Sequence, residues 1–414
     1  MAQGGDENTR NSGRVAWLAE QIAHHSDLYY NQAKTEISDS EFDALWDELK
    51  QIAPDHPQLQ RVGAEIDPGT VKVDHMFPMR SLNKGTDDDD IAHFVKESSL
   101  ESTRFISQPK LDGSALSLEY RKGRLVRAAT RGSGDRGEDV TKNARRVENV
   151  PHTLGAEVDV HIRGEVVMRL SVFEEKYRTI SPNPRNLAAG ALRQKNADGK
   201  ANANDLVFLA YDAKFPSEAD RHPDSVAPPS KDFDSAILEW LSETAGVEPA
   251  PWVVHDSGSE SASIESLCQE TRTWSKGRES YSFEIDGLVF KVDDLEKRDL
   301  LGMTAHHPRW ALAWKFPPEE ATSVLLDVDW QTGRTGTITP VARIAPQRVG
   351  GVTVENTTLH NLGEVQRLDI QIGDKIRIVR RGDVIPKIEA SLGGRSPRVL
   401  DGRTHCLGRR VTGA

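Results

Sequence analysis

Lys110 stands immediately before Leu111-Asp112-Gly113. The alternating Phe105-Ile106-Ser107 precedes it and the alternating residues 115–120 follow, so the pattern predicts a lysine on a loop joining two strands. An amine so placed becomes a covalent nucleophile once neighbouring cations and burial lower its pKa. From these residues alone, an ordinary surface lysine beside a turn is the plainer reading, because motifs this short recur by chance.

Other polar residues lie in or beside strand-like runs. Arg131 ends one, Glu165 sits in Arg163-Gly164-Glu165-Val166, and Asp286 precedes Gly287. Lys291 lies within Val289-Phe290-Lys291-Val292, and Lys315 within Ala313-Trp314-Lys315-Phe316. Singly, each has a structural reading; a lysine between aromatic residues, as at Lys315, suits the solvent face of a half-buried sheet. Together they supply what nucleotidyl transfer requires: a nucleophilic amine, cations to hold phosphates, and carboxylates for a magnesium ion and a ribose. Asp112, Glu165 and Asp286 are the candidate carboxylates for Mg2+.

The elements that must position this set follow from hydrophobic spacing. Val15, Leu18, Ile22 and Tyr29 predict a helix over residues 14–30. Ser38-Asp39-Ser40-Glu41 reads as a capping box opening a second helix, with Phe42, Leu45, Trp46, Leu49 and Ile52 on its apolar face. Residues 68–84 read as irregular, and the aspartates at 87–90 as a solvated helix start rather than a metal site. Residues 105–317 mix strands (115–120, 125–130, 158–162, 285–292, 310–314) with helices (171–178, 186–193, 233–244), and residues 215–231 read as a surface loop. From residue 319 the pattern is all β, with strands at 324–330, 336–344, 352–358 and 374–380, which suggests a small closed barrel of the OB type. The expected class is multidomain α+β.

Composition sets bounds. With 414 residues, two to four domains are expected, and 37% hydrophobic with 28% charged residues fits a globular chain. No run of eighteen apolar residues and no secretory signal is visible, so the expectation is a cytoplasmic protein with no membrane partner. Two cysteines, Cys268 and Cys406, make neither a disulfide framework nor a CxxC pair, so no cysteine-built zinc site is expected. The net charge of −11 is a blunt argument against nucleic acid, since phosphate contacts need only a local basic face.

Over residues 24–388 the sequence resembles the NAD-dependent DNA ligases, within the superfamily of lysine-adenylating nucleotidyltransferases. The stretches that carry the resemblance include Lys110-Leu111-Asp112-Gly113, Thr130-Arg131-Gly132-Ser133-Gly134, Arg163-Gly164-Glu165-Val166, Asn183-Pro184-Arg185-Asn186, Ile285-Asp286-Gly287, Pro308-Arg309-Trp310-Ala311, Lys315-Phe316-Pro317, Gly333-Arg334-Thr335-Gly336 and Thr358-Leu359-His360-Asn361.

The resemblance implies a helical subdomain recognising nicotinamide mononucleotide (1–66), an adenylation domain (67–317), an OB-fold (318–392) and an arginine-rich tail (393–414). It implies that Lys110 takes AMP from NAD, that AMP passes to the 5′-phosphate of nicked duplex DNA, and that the 3′-hydroxyl then seals the strand. Asp112, Lys291 and Lys315 would position the reacting phosphate, the metal and the lysine, while Arg131 and Glu165 would hold the ribose and its surroundings. Ser81 and Leu82 would flank the adenine and Gln108 would meet its edge. Tyr29, Tyr30, Asp39, Phe42 and Asp43 would recognise nicotinamide, whose cationic ring suits aromatic faces and carboxylates. Without the resemblance, these five read as a solvated helix start with core aromatics. Arg185, Arg193, Arg278, Arg334 and Arg380 would meet nick or nucleotide phosphates, and the working form would be a monomer. The chain departs from the family at Tyr30, where histidine is usual, at Phe42, where tyrosine is usual, and at Gln108-Pro109, where Glu-Leu is usual. The family's four-cysteine zinc module, helix-hairpin-helix domain and BRCT domain have no counterpart in these residues.

Overall fold

The computed structural model describes residues 4–32, 37, 39–54, 56–60, 71–100, 103–181, 183–194, 201–229, 232–304, 307–316, 319–332, 338–349, 352–380 and 387–394. They form two compact units. The first comprises Met1–Glu36 and Ala44–Phe316, the second Ile37–Asp43 and Pro317–Ala414.

In the first unit the strands are β1 (Lys72–Asp74), β2 (Asn83–Gly85), β3 (Phe105–Leu111), β4 (Ser114–Arg121), β5 (Arg124–Thr130), β6 (Arg136–Glu138), β7 (Val160–Met168), β8 (Leu206–Lys214), β9 (Val253–His255), β10 (Ile285–Val292) and β11 (Ala311–Lys315). One sheet has the order β2-β11-β10-β3-β9 and a second has β5-β4-β7-β8; β1 and β6 form a small ribbon. Alternation explains the first sheet. Phe105, Leu288, Phe290, Val292, Leu312 and Trp314 bury one face against Ile91, Phe94, Val95, Leu267 and Cys268 of the helices Asp88–Ser98 and Glu260–Gly277. The intervening residues, Gln108 and Lys110 among them, therefore occupy the other face. The second sheet buries Leu116, Leu118, Ile162, Val166 and Phe208 in a larger core.

Helix starts follow capping chemistry. Asp87 accepts the Asp90 N–H at 2.9 Å, so the aspartate run is a helix N-terminus as expected. Asn183 accepts the Asn186 N–H at 3.0 Å, with Pro184 at the first helical position of Pro184–Arg193.

Two expectations need correction, at Lys110 and over residues 68–84, and two helices take a wider form than expected. Lys110 lies inside β3, one residue from its end, not on the loop. The helix expected over 171–178 is present, as a short α-helical turn, Leu170–Val172, that widens into a π turn, Phe173–Tyr177. The helix expected over 233–244 runs Asp234–Trp240, widens over Leu241–Ala245, and stops at Gly246, whose φ of 72° is left-handed. The stretch 68–84, expected to be irregular, holds β1 and the first two residues of β2.

The second unit holds a closed barrel of β12 (Glu319–Thr332), β13 (Ile338–Val349), β14 (Val352–Thr358), β15 (Lys375–Arg380) and β16 (Lys387–Gly393), in the order β12-β13-β14-β16-β15. Register shifts at Leu325/Asp327 and Arg343/Gln347 bend two long strands around a core of Leu325, Ile344, Ile376, Ile378 and Ile388. The expected OB-type barrel is thus present, with helix Leu362–Leu368 between its third and fourth strands.

Candidate active site

Strand register brings the predicted lysines together. Lys110 of β3 stands opposite Gly287 of β10, and Gly287 stands opposite Lys315 of β11. Directly paired residues share a face, so two lysines flank a glycine in one row. A Cβ at Gly287 would lie 2.0 Å from the Trp314 carbonyl oxygen, which is why no larger residue fits between them. Lys110 Nζ donates to both oxygens of Asp286, at 2.8 and 2.7 Å. Burial works against charge on Asp286, yet Lys110 and then Lys315 outweigh it and hold the carboxyl below its ordinary value.

The β3–β4 turn folds back on the second sheet. A Cβ at Gly113 would lie 2.3 Å from the Val166 carbonyl oxygen, and the Gly113 N–H bonds to Glu165. Burial pushes the Glu165 carboxyl up to about 8, with Lys110 and Arg131 acting the other way. Asp112 pairs with Arg185 at 2.9 Å; burial pulls Arg185 down to about 10, although Asp286 and Glu284 favour its charge. Lys110, Asp112, Arg131, Glu165, Arg185, Asp286 and Lys315 therefore form one electrostatic set around the amine.

At the rim, Arg131 reaches Ser81 Oγ at 3.4 Å, and His307 Nδ1 lies 3.1 Å from the Ser81 carbonyl oxygen; Ser81 and Leu82 are half-buried. Gln108 lies on the Lys110 face, one residue pair further in, opposite Val289. It is buried, and its Nε2 has no hydrogen-bond partner among the described residues.

Lys291 lies further along β10. It lies four residues along β10 from Gly287, roughly 13 Å at strand rise, so it does not share the row of Lys110 and Lys315. Its ammonium is 2.5 Å from Asp234 Oδ2 and donates to the Tyr211 carbonyl oxygen at 3.1 Å.

The arginines divide. Arg193 ends helix Pro184–Arg193 and pairs with Glu138 at 3.0 Å, and Arg278 lies 5.2 Å from the Phe316 ring beside Lys315. Arg334 lies outside the described residues, as do the side chains of Arg380, Tyr29, Tyr30, Asp39 and Asp43; Phe42 is half-buried.

Sequence reasoning missed Tyr211 and Asp234. Tyr211 bears electrostatically on Glu165, Arg163 and Arg131, which places its phenol beside the set. Its strand, β8, has a fully buried start without alternation, so no period marks it. Asp234 reads in sequence as an acid at a helix start, and only the fold brings it to Lys291.

An amine held by a carboxylate, flanked by a second lysine, an arginine and a carboxyl, is equipped for displacement at a phosphate. Comparison with known proteins agrees. Residues 69–319 match the NAD-dependent DNA ligase adenylation domain, residues 322–398 the NAD-dependent DNA ligase OB-fold domain, and residues 8–64 the DNA ligase-like N-terminal NAD+-binding domain. A DNA ligase of Acinetobacter baumannii strain AYE is 38% identical over 395 residues, covering 90% of this chain and 56% of the relative; the strain SDF protein gives the same figures. The chain thus spans about half the length of the curated relatives it matches. A solved structure from a study of Lig E DNA ligases overlaps 76% of this chain and 99% of its own at 13% identity, with a TM-score of 0.39, a likeness that carries no inference. The family models together reach from residue 8 to residue 398, and the adenylation model alone takes in more than half of the chain: it belongs to the NAD-dependent DNA ligases.

Proposed function

We propose that this chain seals nicks in duplex DNA, using NAD to adenylate Lys110. The observation that carries the reading is the Lys110 amine bonded to Asp286, with Lys315 across Gly287 and Glu165 on the facing sheet. In the first step Nζ attacks the α-phosphorus of NAD. The bond to the nicotinamide mononucleotide oxygen breaks, Asp286 takes the Nζ proton, and AMP remains on Lys110 as a phosphoramidate. Lys315 and Arg185 neutralise charge developing on the phosphate oxygens. AMP then passes to the 5′-phosphate of the nick. Attack by the 3′-hydroxyl on that phosphate joins the strands and releases AMP.

The buried, unpartnered Gln108 Nε2 fits the edge of a base, Glu165 the ribose, and Ser81, Leu82 and Tyr211 the flanks. Lys291, set inward from the reacting row, belongs with the base rather than the phosphate. Tyr29, Tyr30, Asp39, Phe42 and Asp43 are assigned to nicotinamide, and Arg193, Arg278, Arg334 and Arg380 to DNA phosphates. Among the described residues no three His, Cys, Asp or Glu side chains gather into a metal cage. Mg2+ is usually held by one or two carboxylates together with substrate phosphates, and Asp112, Glu165 or Asp286 would supply the carboxylates here. When bound it would neutralise charge on the transferring phosphate.

In this reading the enzyme works as a cytoplasmic monomer. The test is gel-based sealing of a 5′-phosphorylated nick with NAD and Mg2+. The proposal expects multiple turnovers and none for Lys110→Ala. Self-adenylation without turnover would reduce the chain to a nick-binding protein.

A further inference from the structure

Lys291 is buried, and so are both groups that hold it in place. Asp234 is 0% exposed, and Arg298 is 4% exposed. Asp234 Oδ2 lies 2.5 Å from Lys291 Nζ and 2.9 Å from the Arg298 guanidinium nitrogen Nη2. Arg298 is itself fixed: its Nε donates to the Val292 carbonyl oxygen at 2.5 Å and its guanidinium lies 4.5 Å from the Trp310 ring centroid. The backbone N–H of Asp234 bonds to Asp293 O at 2.8 Å, and Asp293 accepts from Ser235 N–H and Oγ at 2.8 and 2.9 Å. The start of helix Asp234–Trp240 is therefore clamped to the end of β10.

Lysine has three N–H donors. Asp234 and the Tyr211 carbonyl oxygen take two, leaving one for a ligand. Gln108 pairs with Val289, two residues from Lys291 on the same face, so the two are diagonal neighbours at roughly 7 Å. We propose that Asp234 is a positioning residue for nucleotide capture: its carboxylate, clamped by Arg298, fixes the Lys291 ammonium beside Gln108 so that its remaining donor meets an acceptor on the base of the nucleotide. This rests on the adenylation reading and deepens it, since nothing in the sequence pattern ties Asp234 to the site.

The charged groups facing Lys291 are Asp234 on helix Asp234–Trp240, Arg298 on helix Leu295–Leu301 and Asp212 on β8, with Arg163 of β7 paired to Asp212 at 3.4 Å. Burial pulls the Lys291 ammonium below its ordinary value, and Asp234 is the largest influence opposing that. Removing the Asp234 charge therefore favours the neutral amine, and the site loses its donor at a lower pH than before.

The test uses the full chain and measures lysyl-AMP formation from NAD by intact mass across pH, together with sealing of a pre-adenylated nick. Asp234→Asn is compared with the parent. Asp234→Asn/Arg298→Gln is made alongside, because the single change leaves two buried cations facing each other, whereas the double removes one charge of each sign. The expected result is a KM for NAD raised on the order of 10- to 100-fold, the scale of losing an outer partner of a working group. In Asp234→Asn the alkaline limb of adenylation should move to lower pH, and in the double variant, which also loses the Arg298 charge, it should move less. Sealing of the pre-adenylated nick, whose AMP carries the same base, should keep its maximal rate within about twofold of the parent. An unchanged KM and limb overturns the proposal. So does a loss that is equal at every pH and in pre-adenylated sealing, or failure of both variants to fold, because Asp234 then acts on the fold alone. A parent that takes no AMP from NAD overturns the adenylation reading as well.

Discussion

Lys110 and Asp286 share two short contacts, so the proton that must leave the amine already has an acceptor. Replacing Asp286 with Asn should slow lysyl-AMP formation by ~10²–10⁴-fold, the usual span for losing a general base, while Asp112→Asn leaves that acceptor intact and costs less. Single-turnover mass spectrometry distinguishes the two. Glu165 gives a stability prediction with a defined sign. Its carboxyl is raised to about 8 in the fold, against an ordinary value of 4.5. The unfolded chain therefore ionises first, and the stability contributed by the protonated form is present below 4.5 and lost as pH rises toward 8. The melting temperature of Glu165→Gln relative to the parent should climb over that window and level off above it. The cleft is partly open to water, so the gain is a few degrees rather than the full shift. A flat difference across pH would contradict the buried environment assigned to Glu165.

At the scale of elements, β10 is the organiser. Its alternation buries Leu288, Phe290 and Val292 on one face and leaves Gly287 and Lys291 on the other, a pattern readable directly from the sequence. The row Lys110, Gly287, Lys315 was not readable, because register between strands distant in sequence is set by packing rather than by local periodicity. Likewise the helix Glu260–Gly277 escaped because only Ser263, Leu267, Cys268 and Thr271 are buried, too few apolar residues for a helical stripe. Two glycines differ in the space around them. Gly287→Ala would drive its methyl into the Trp314 carbonyl and should cost ~1–3 kcal/mol or more, with loss of adenylation. Gly190→Ala in helix Pro184–Arg193 meets nothing within 4 Å and should stabilise by ~0.5–1 kcal/mol without affecting adenylation. Urea titration at neutral pH measures both.

At the scale of the molecule, the division into units carries the functional expectation. All the described residues of the reacting set lie in the first unit, and the barrel contributes none of them. A chain ending at Phe316 should therefore still acquire AMP on Lys110. It should seal nicks at least ~100-fold more slowly, because duplex binding draws on phosphate contacts that the barrel and its arginines would provide. The barrel was legible from short strands and glycine turns alone; its fifth strand and its helix were not, since each is short and half-polar.

In the proposed reaction the chain draws AMP from NAD onto Lys110. Incubation of the full chain with NAD or with ATP, separately, followed by intact mass measurement, tests it most directly. One AMP should be gained with NAD, none with ATP, and none in either case for Lys110→Ala. Labelling by ATP with no labelling by NAD would contradict it.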